Sequence, residues 1–470
     1  MEETVSRSQE LFYASPFAIS RILLVLVLLT VVTSMASASD IYLAQSAQGA
    51  NTGADCADAH PATFFNSSAN WGSGAGQIGP GVTVNLCGTI STNLTFQGNG
   101  ANGNPVVLDG TGATVNAYID VASQYWTIQN CTWSTSYATN SGTQAVIQTS
   151  NGAAFGTIQN NHIDIQSSSQ VIFFGHGTHD MTVQNNYLRI STPSGGDGFD
   201  TDVFDTEGSY NVMVQGNYIA MNIGAGDESC GGCHDDLMQV WAASGSAANS
   251  PYNWTIRYNK FVQQSSPAKV NNQSLMMMEN IGTGYWDVYS NLFQCVSSGS
   301  SGNGIVFDSN GSGMTAHLYN NTVVENSGAC NNLWNLSGSG SMYLSNNITY
   351  NTDAGSALTG GETFASRGGN LWYGPNIPSC SGFQGEICGS DPLFNNYSAS
   401  DFTLQSGSPA RGAAANEGTS YNLYPVPETT WPDPSTSNRP SSGSWDIGTY
   451  QFASGGSAPN PPSGLTAVVQ

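Results

Sequence analysis

The sequence predicts an all-β chain wound as a parallel β-helix, and three observations predict it. A cassette of two β-type residues, a spacer and an asparagine recurs seven times, as TIQNNHI, TVQNNYL, MVQGNYI, TIRYNKF, DVYSNLF, HLYNNTV and YLSNNIT, with anchors at Asn161, Asn186, Asn217, Asn259, Asn291, Asn321 and Asn347. A weaker copy, TIQNCTW, puts Cys131 at the anchor, and the longest interval between anchors runs from Asn217 to Asn259. A unit of that size, made of short strands, cannot bury its own apolar face, whereas stacked units can. Each anchor also follows a second apolar strand: AVIQT (145–149), VIFF (171–174), VFDT (203–206), LMQVW (237–241), LMMME (275–279), GIVFD (304–308) and LWNL (333–336). Gly, Ser and Asn fill the intervals, as turns require, and no helical periodicity competes. Two to three strands per turn are expected, with the asparagines stacked at a corner, where Asn tolerates left-handed backbone.

The chain opens with an apolar run, Ile22–Val32, after Arg21, followed by Ala36-Ser37-Ala38. That reads as a signal peptide over 1–38, too short to span a membrane. Residues 39–120 are expected to form an N-terminal cap and the first coils, 121–375 the repeats, 376–452 the last coils and a cap, and 453–470 a flexible Gly/Pro/Ser tail. After removal of 1–38 the chain carries 29 acidic and 7 basic residues. Such a surface argues against nucleic acid and anionic membrane as partners. A secreted monomer acting on an extracellular polysaccharide is expected. Export makes disulfides expected too, paired by proximity as Cys56–Cys87, Cys295–Cys330 and Cys380–Cys388, with Cys131 left buried and free.

The cassettes resemble those of right-handed parallel β-helix proteins of the pectin-lyase-like class. IYLAQSAQGANTGADCADA (41–59) is similar to that class's opening strand and cap; DPLF (391–394), DFTL (401–404), SGSPARG (406–412), Arg439-Pro440 and WDIGTYQF (445–452) are similar to its closing coils and C-terminal cap. Right-handedness is what the resemblance implies. The class hosts many functions, so activity has to be argued from a site.

One stretch departs from the repeat. Residues 195–241 hold Asp197, Asp200, Asp202, Asp205, Glu207, Asp227, Glu228, Asp235 and Asp236, just before the longest anchor interval. Clustered carboxylates repel, so they suggest acid/base catalysis, metal binding or a solvated loop. DGFDT and HDDLMQV resemble the aspartate strands of polygalacturonases; the residues carried over are Asp197, Asp235 and Asp236, although that family's later Gly-His-Gly and Arg-x-Lys do not follow. Adjacent coils would bring the carboxylates within about 5–10 Å, the range glycosidases use. A second reading is a Ca²⁺-dependent uronan lyase or epimerase, with Asp200, Asp202, Asp205 and Glu207 as oxygen ligands. Its base would be Arg189, Arg257, Lys260 or Lys269, with His234 or Tyr218 added for epimerisation. Cys230-Gly-Gly-Cys233-His234 matches the attachment signature of c-type haem, but a local disulfide is the reading taken, with haem or zinc through Cys230, Cys233, His234 and Asp235 as alternatives.

Asp205 and Glu279 stand at equal distances before their anchors, Asn217 and Asn291, and Gln239 falls between them if LMQVW is the equivalent strand. The expected catalytic set is therefore Asp197, Asp205, His234, Asp235, Asp236 and Glu279. His176, Gln239, Trp241, Arg257, Lys260 and Trp286 are expected to bind substrate, with Trp254, Tyr252, Tyr285 and Trp334 as further aromatics for sugar rings. The alternative from another class is a non-catalytic glycan-binding or adhesin-like surface protein.

Overall fold

A computed structural model describes residues 40–133, 145–150, 152–166, 170–191, 201–223, 235–242, 250–265, 271–281, 283–295, 301–309, 313–325, 330–352, 355–359, 364–427 and 430–452. The expected signal peptide, the 453–470 tail, Asp197, Asp200, Lys269 and the Cys230–His234 motif lie outside these residues. The described chain is the expected parallel β-helix, with three strands per coil. Parallel pairing builds a first sheet of 13 strands, a second of 12 and a third of 10. The chain passes from first to second to third sheet and back, as in Ala154–Gln159, His162–Gln166 and Ile172–Phe174 followed by His179–Gln184. The coil is right-handed, as parallel crossovers are.

The corner between the first and second sheets explains the cassette. The residue before each anchor is the one with left-handed backbone: Asn130, Asn160, Asn185, Gly216, Tyr258, Ser290, Asn320, Asn346 and Gly369 all have φ between 54° and 68°. The anchor itself makes a ladder. Asn217 is representative: its Oδ1 accepts the backbone N–H and the Nδ2 of Asn186, both at 2.9 Å, while its own Nδ2 donates to Oδ1 of Asn259 at 3.0 Å and to the Val183 carbonyl at 2.9 Å. Every polar atom of a buried amide is thereby used, which is what burial demands. The ladder begins where the Cys131 N–H donates to Asn161 Oδ1 and ends at Asn370, an eighth anchor that the seven cassettes omit. A glutamine ladder runs beside it on the first sheet: Gln159, Gln184 and Gln215 each donate to the glutamine one coil earlier, from Gln129 onward, and Arg257 closes the row.

Alternation along each strand sends one set of side chains into a continuous core. Ile128, Ile158, Val183, Val214, Ile256, Val288, Leu318 and Leu344 form one buried column. Trp254, Trp286 and Trp334 are fully buried in the same interior, the first two stacked at 6.0 Å. They are therefore core, and the expectation that Trp286, Trp254 or Trp334 contacts sugar is corrected: each falls on the inward phase of its strand. At the N-terminal end the rings of Phe65, Trp71 and Phe96 close the core over Trp126, and Cys56–Cys87 ties this cap to the first sheet. Cys295–Cys330 and Cys380–Cys388 are also bonded, and Cys131 is free and buried.

The C-terminal segments do not add coils as expected. Ile387–Cys388 is the last parallel strand; Phe394–Asn396 and Asp401–Leu404 form an antiparallel hairpin instead. It lies against the outer side of the second sheet, where Phe394, Phe402 and Leu404 cover Leu292, Val324, Ile348 and Leu371. In earlier coils the same outward columns read His162, Tyr187, Tyr218, Lys260 and Asp164, Arg189. The outer face turns apolar where the cap covers it, and that burial holds the cap. Beyond the hairpin the chain runs back along the asparagine corner as a strap. The Asn346 Nδ2 donates to the Ala415 carbonyl, the Ser290 hydroxyl to Leu423, and the Asp433 N–H to Gly216. Arg439 secures this strap: its buried guanidinium donates to the carbonyls of Asp446, Gly448 and Thr449.

Candidate functional site

The acidic stretch forms two neighbouring strands of the third sheet, Thr201–Glu207 and Asp235–Trp241. Their parallel register pairs Thr201 with Asp235, Asp202 with Asp236, Phe204 with Met238, Asp205 with Gln239 and Glu207 with Trp241. Phe204 is inward, its ring against Phe174 and Trp254. Alternation then puts Asp202 and Thr206 on the inner phase, and Asp205 and Glu207 on the outer one. The outer face thus carries Asp205, Glu207, Gln239 and Trp241 as one patch over two coils.

Asp205 is the centre of that patch. Its Oδ1 accepts the Trp241 indole N–H at 2.9 Å and its Oδ2 the Gln170 amide at 3.4 Å. Only 5 % of the residue is exposed. Burial, opposed by the Trp241 and Thr206 hydrogen bonds and reinforced by the charges of Asp236 and Glu207, pushes its carboxyl up to about 7. Asp202 is pushed well above the carboxylate range, first by burial and then by Asp205 and Asp236. A carboxyl in such surroundings keeps its proton near neutrality.

Asp205, Gln239 and Glu279, expected to line one sheet face on three successive coils, all fall on the outward phase of their strands. Gln239 does sit beside Asp205, but the next strand, Asn271–Ile281, places Met277 opposite Gln239 and Met278 opposite Val240. Glu279 therefore stands two residues further along the same face, level with Trp241 and in line with Glu207. Counting from the anchors assumes equal turns, whereas Met277 lies further before Asn291 than Asp205 does before Asn217.

Asp235 and Asp236, the other two expected catalytic carboxyls of these strands, are almost wholly buried. The Thr201 N–H donates to Asp235 Oδ1 at 3.1 Å, and the Asp236 N–H to Asp202 Oδ1 at 3.0 Å, so the Asp235 carboxylate holds backbone of the coil before it and the Asp202 carboxylate backbone of the coil after it. His176 lies in the turn after Ile172–Phe174, whose last residue pairs with Thr206; Gly177, next to it, donates to the Gly208 carbonyl. It is thus one coil from Glu207.

The cations stand on other sheets. Arg189 is held by both oxygens of Asp164 at 2.7 and 2.8 Å on the second sheet. Arg257, on the first, donates to Gln215 and the Tyr289 hydroxyl. Lys260, on the second, lies 6.0 Å from the Tyr218 ring centre, its pKa lowered by burial. None of these three shares the outer face with Asp205. Tyr218 itself stacks on Tyr187. The expected aromatic row also changes. Tyr252 and Tyr285 lie on the first sheet, and Tyr252 stacks on Tyr210 at 4.7 Å, in a ladder continued by His179. The ring faces of His179, Tyr210 and Tyr252 cover one another, whereas Tyr285 stands outside this ladder and is exposed.

Sequence reasoning missed Gln170, one coil before Asp205, because nothing in its own segment marks it. It also missed a cluster on the first sheet, where His317 Nδ1 lies 2.7 Å from Asp287 Oδ1 and the Tyr421 hydroxyl meets both. Tyr421 comes from the strap, and its sequence distance hides the contact.

No family model matches the sequence, and no curated protein matches it. A solved structure, the crystal structure of pectate lyase Pel9A, is similar over 88% of this chain and 96% of that one, with 14% identity and a TM-score of 0.35. Likeness at that level assigns no chemistry.

Proposed function

We propose that this is a secreted enzyme that hydrolyses an extracellular polysaccharide along the outer face of the third sheet. The observation that carries the reading is Asp205, an outward carboxyl held near a pKa of about 7, with Glu207 on the same face one alternation further along. Two strand steps put their Cα atoms about 6.6 Å apart. The two carboxyls then take the places of acid and base on either side of a glycosidic bond. Asp205 would give its proton to the glycosidic oxygen, and Glu207 would take a proton from the attacking water. Gln239 and the half-buried Trp241 would hold the sugar, with Glu279 and His176 bordering the groove. The apolar N-terminal segment, three disulfides and acidic charge support export.

The calcium ligands expected from the sequence are Asp200, Asp202, Asp205 and Glu207. Alternation puts Asp202 on the inner phase, away from Asp205 and Glu207 on the outer one, so the described residues fit calcium poorly. No step is routed through it.

The test is a panel of neutral and uronate polysaccharides given to the purified protein with calcium or EDTA, reading reducing ends and the absorbance of unsaturated products. Reducing ends alone, lost in Asp205→Asn, support hydrolysis. Unsaturated products would replace it with elimination. Silence on every substrate with retained glycan binding would make the protein a binding module.

A further inference from the structure

The second sheet carries a cavity at its C-terminal end that the acidic face does not use. It holds about 400 Å³ and is lined by Tyr350, Asn351, Thr352, Tyr373, Pro375 and Gly389, with Gly374 between. That volume is in the range of small-ligand pockets, roughly 300–1,000 Å³. The lining residues themselves are uncharged: two phenols, an amide that donates to the Gly355 carbonyl and a hydroxyl that donates to the Glu325 carboxylate behind it. Such a lining suits a neutral ligand.

The arrangement of rings says more. Tyr350 pairs with Tyr373 on the next coil, and their centroids are 4.9 Å apart. Tyr397 from the cap covers the Tyr350 ring at 4.6 Å. The column stops there. On the following coil Cys388 pairs with Trp372, so Gly389 comes level with Tyr373, and its N–H donates to the Trp372 carbonyl at 2.8 Å. Gly389 has φ of +74°, and a Cβ on it would meet nothing within 4 Å. Among the described residues no ring packs on the far face of Tyr373. A tyrosine that lines the hollow and carries no ring on its far face, among uncharged lining residues, matches a pyranose ring: its C–H face stacks on the aromatic and its hydroxyls meet the phenols and the rim.

We propose that this pocket is a separate binding site for a neutral sugar residue of a polysaccharide, seated on Tyr373 and reached over Gly389. It lies five coils beyond the strand Tyr218–Ile223, about 24 Å along the axis at the usual strand spacing, and needs nothing from Asp205.

The experiment is isothermal titration calorimetry with β-1,4-linked tetrasaccharides of glucose, xylose, mannose and galactose, added to the full chain carrying Asp205→Asn so that no turnover interferes. At least one should bind. Tyr373→Phe should keep the affinity within about twofold. Tyr373→Ala should weaken it about tenfold or more, and so should Gly389→Asn, which puts a side chain into the hollow at a backbone angle that Asn tolerates. Gly389→Asn leaves the Tyr350–Tyr373 packing untouched, so it answers even where Tyr373→Ala fails to fold. The proposal is overturned if none of the four tetrasaccharides binds, or if Gly389→Asn binds as tightly as its parent.

Discussion

The indole N–H of Trp241 donates to Oδ1 of Asp205 across two adjacent coils. The bond steadies the anion and so opposes the upward push of burial on Asp205; burial still prevails. Trp241→Phe removes the donor and keeps a ring. The basic limb of the pH–rate profile should then move upward by about one pH unit, because a charge-assisted hydrogen bond to the anion is lost.

Asp205→Asn should abolish hydrolysis and stabilise the fold. The sign follows from linkage. The folded carboxyl binds its proton up to about pH 7, whereas the unfolded one releases it near 4. Burial of Asp205 therefore costs nothing below pH 4, costs progressively more as pH rises to 7, and stays costly above. Melting temperatures of the parent should fall between pH 4.5 and 7.5 more steeply than those of the variant. Parallel profiles would show that Asp205 ionises normally.

Asn259→Ala breaks the ladder in its middle. It takes the side-chain acceptor from the Asn217 N–H and one acceptor from the Asn217 Nδ2, and the side-chain donor from the Val214 carbonyl. With buried groups left unsatisfied, the cost should be about 2–4 kcal/mol in urea unfolding. A cost smaller than that of one ordinary hydrogen bond would mean that water replaces the side chain.

Arg439→Ala removes a buried guanidinium that donates to the carbonyls of Asp446, Gly448 and Thr449 and lies over Tyr424 and Trp445. Loss of one member of so buried a polar group should destabilise by roughly 3–5 kcal/mol. Proteolysis should then open the strap, with cleavage mapped by mass spectrometry between 415 and 450.

Cys131 should resist alkylation in the native protein. Burial, aided by the charge of Asp109, pushes its thiol up, so almost no thiolate exists to react. Peptide mapping after iodoacetamide treatment should find residue 131 modified only once denaturant is present.

The coil is legible in the sequence because parallel stacking repeats one chemical demand at one place: a left-handed corner residue followed by a self-pairing amide. The demand writes itself as Asn-Asn at 160–161, 185–186, 320–321 and 346–347. It is hidden where Gly216, Tyr258, Ser290 or Gly369 takes the first position. The second-strand segments are legible for the same reason, and VFDT and LMQVW lie on the third sheet side by side. Burial is less legible. Trp286 and Trp241 look alike in sequence, and only the phase of each strand decides that one is core and the other faces outward. Register across a variable turn is lost too, which moves Glu279 out of the column of Asp205 and Gln239. Contacts of the strap with Asp287, His317 and Gly216 have no local signal, since more than a hundred positions separate the partners.

That strap sets a measure for the whole barrel. Solenoids gain or lose repeats readily, because each coil touches only its neighbours. Here a fixed length of chain must start at the last coil and still reach Gly216 with Asp433. Deleting one coil between them would shorten the stack by about 4.8 Å and leave the strap slack; inserting one would leave it too short. The tail thus acts as a ruler, and the number of turns from 216 to 370 is counted by residues that belong to none of them.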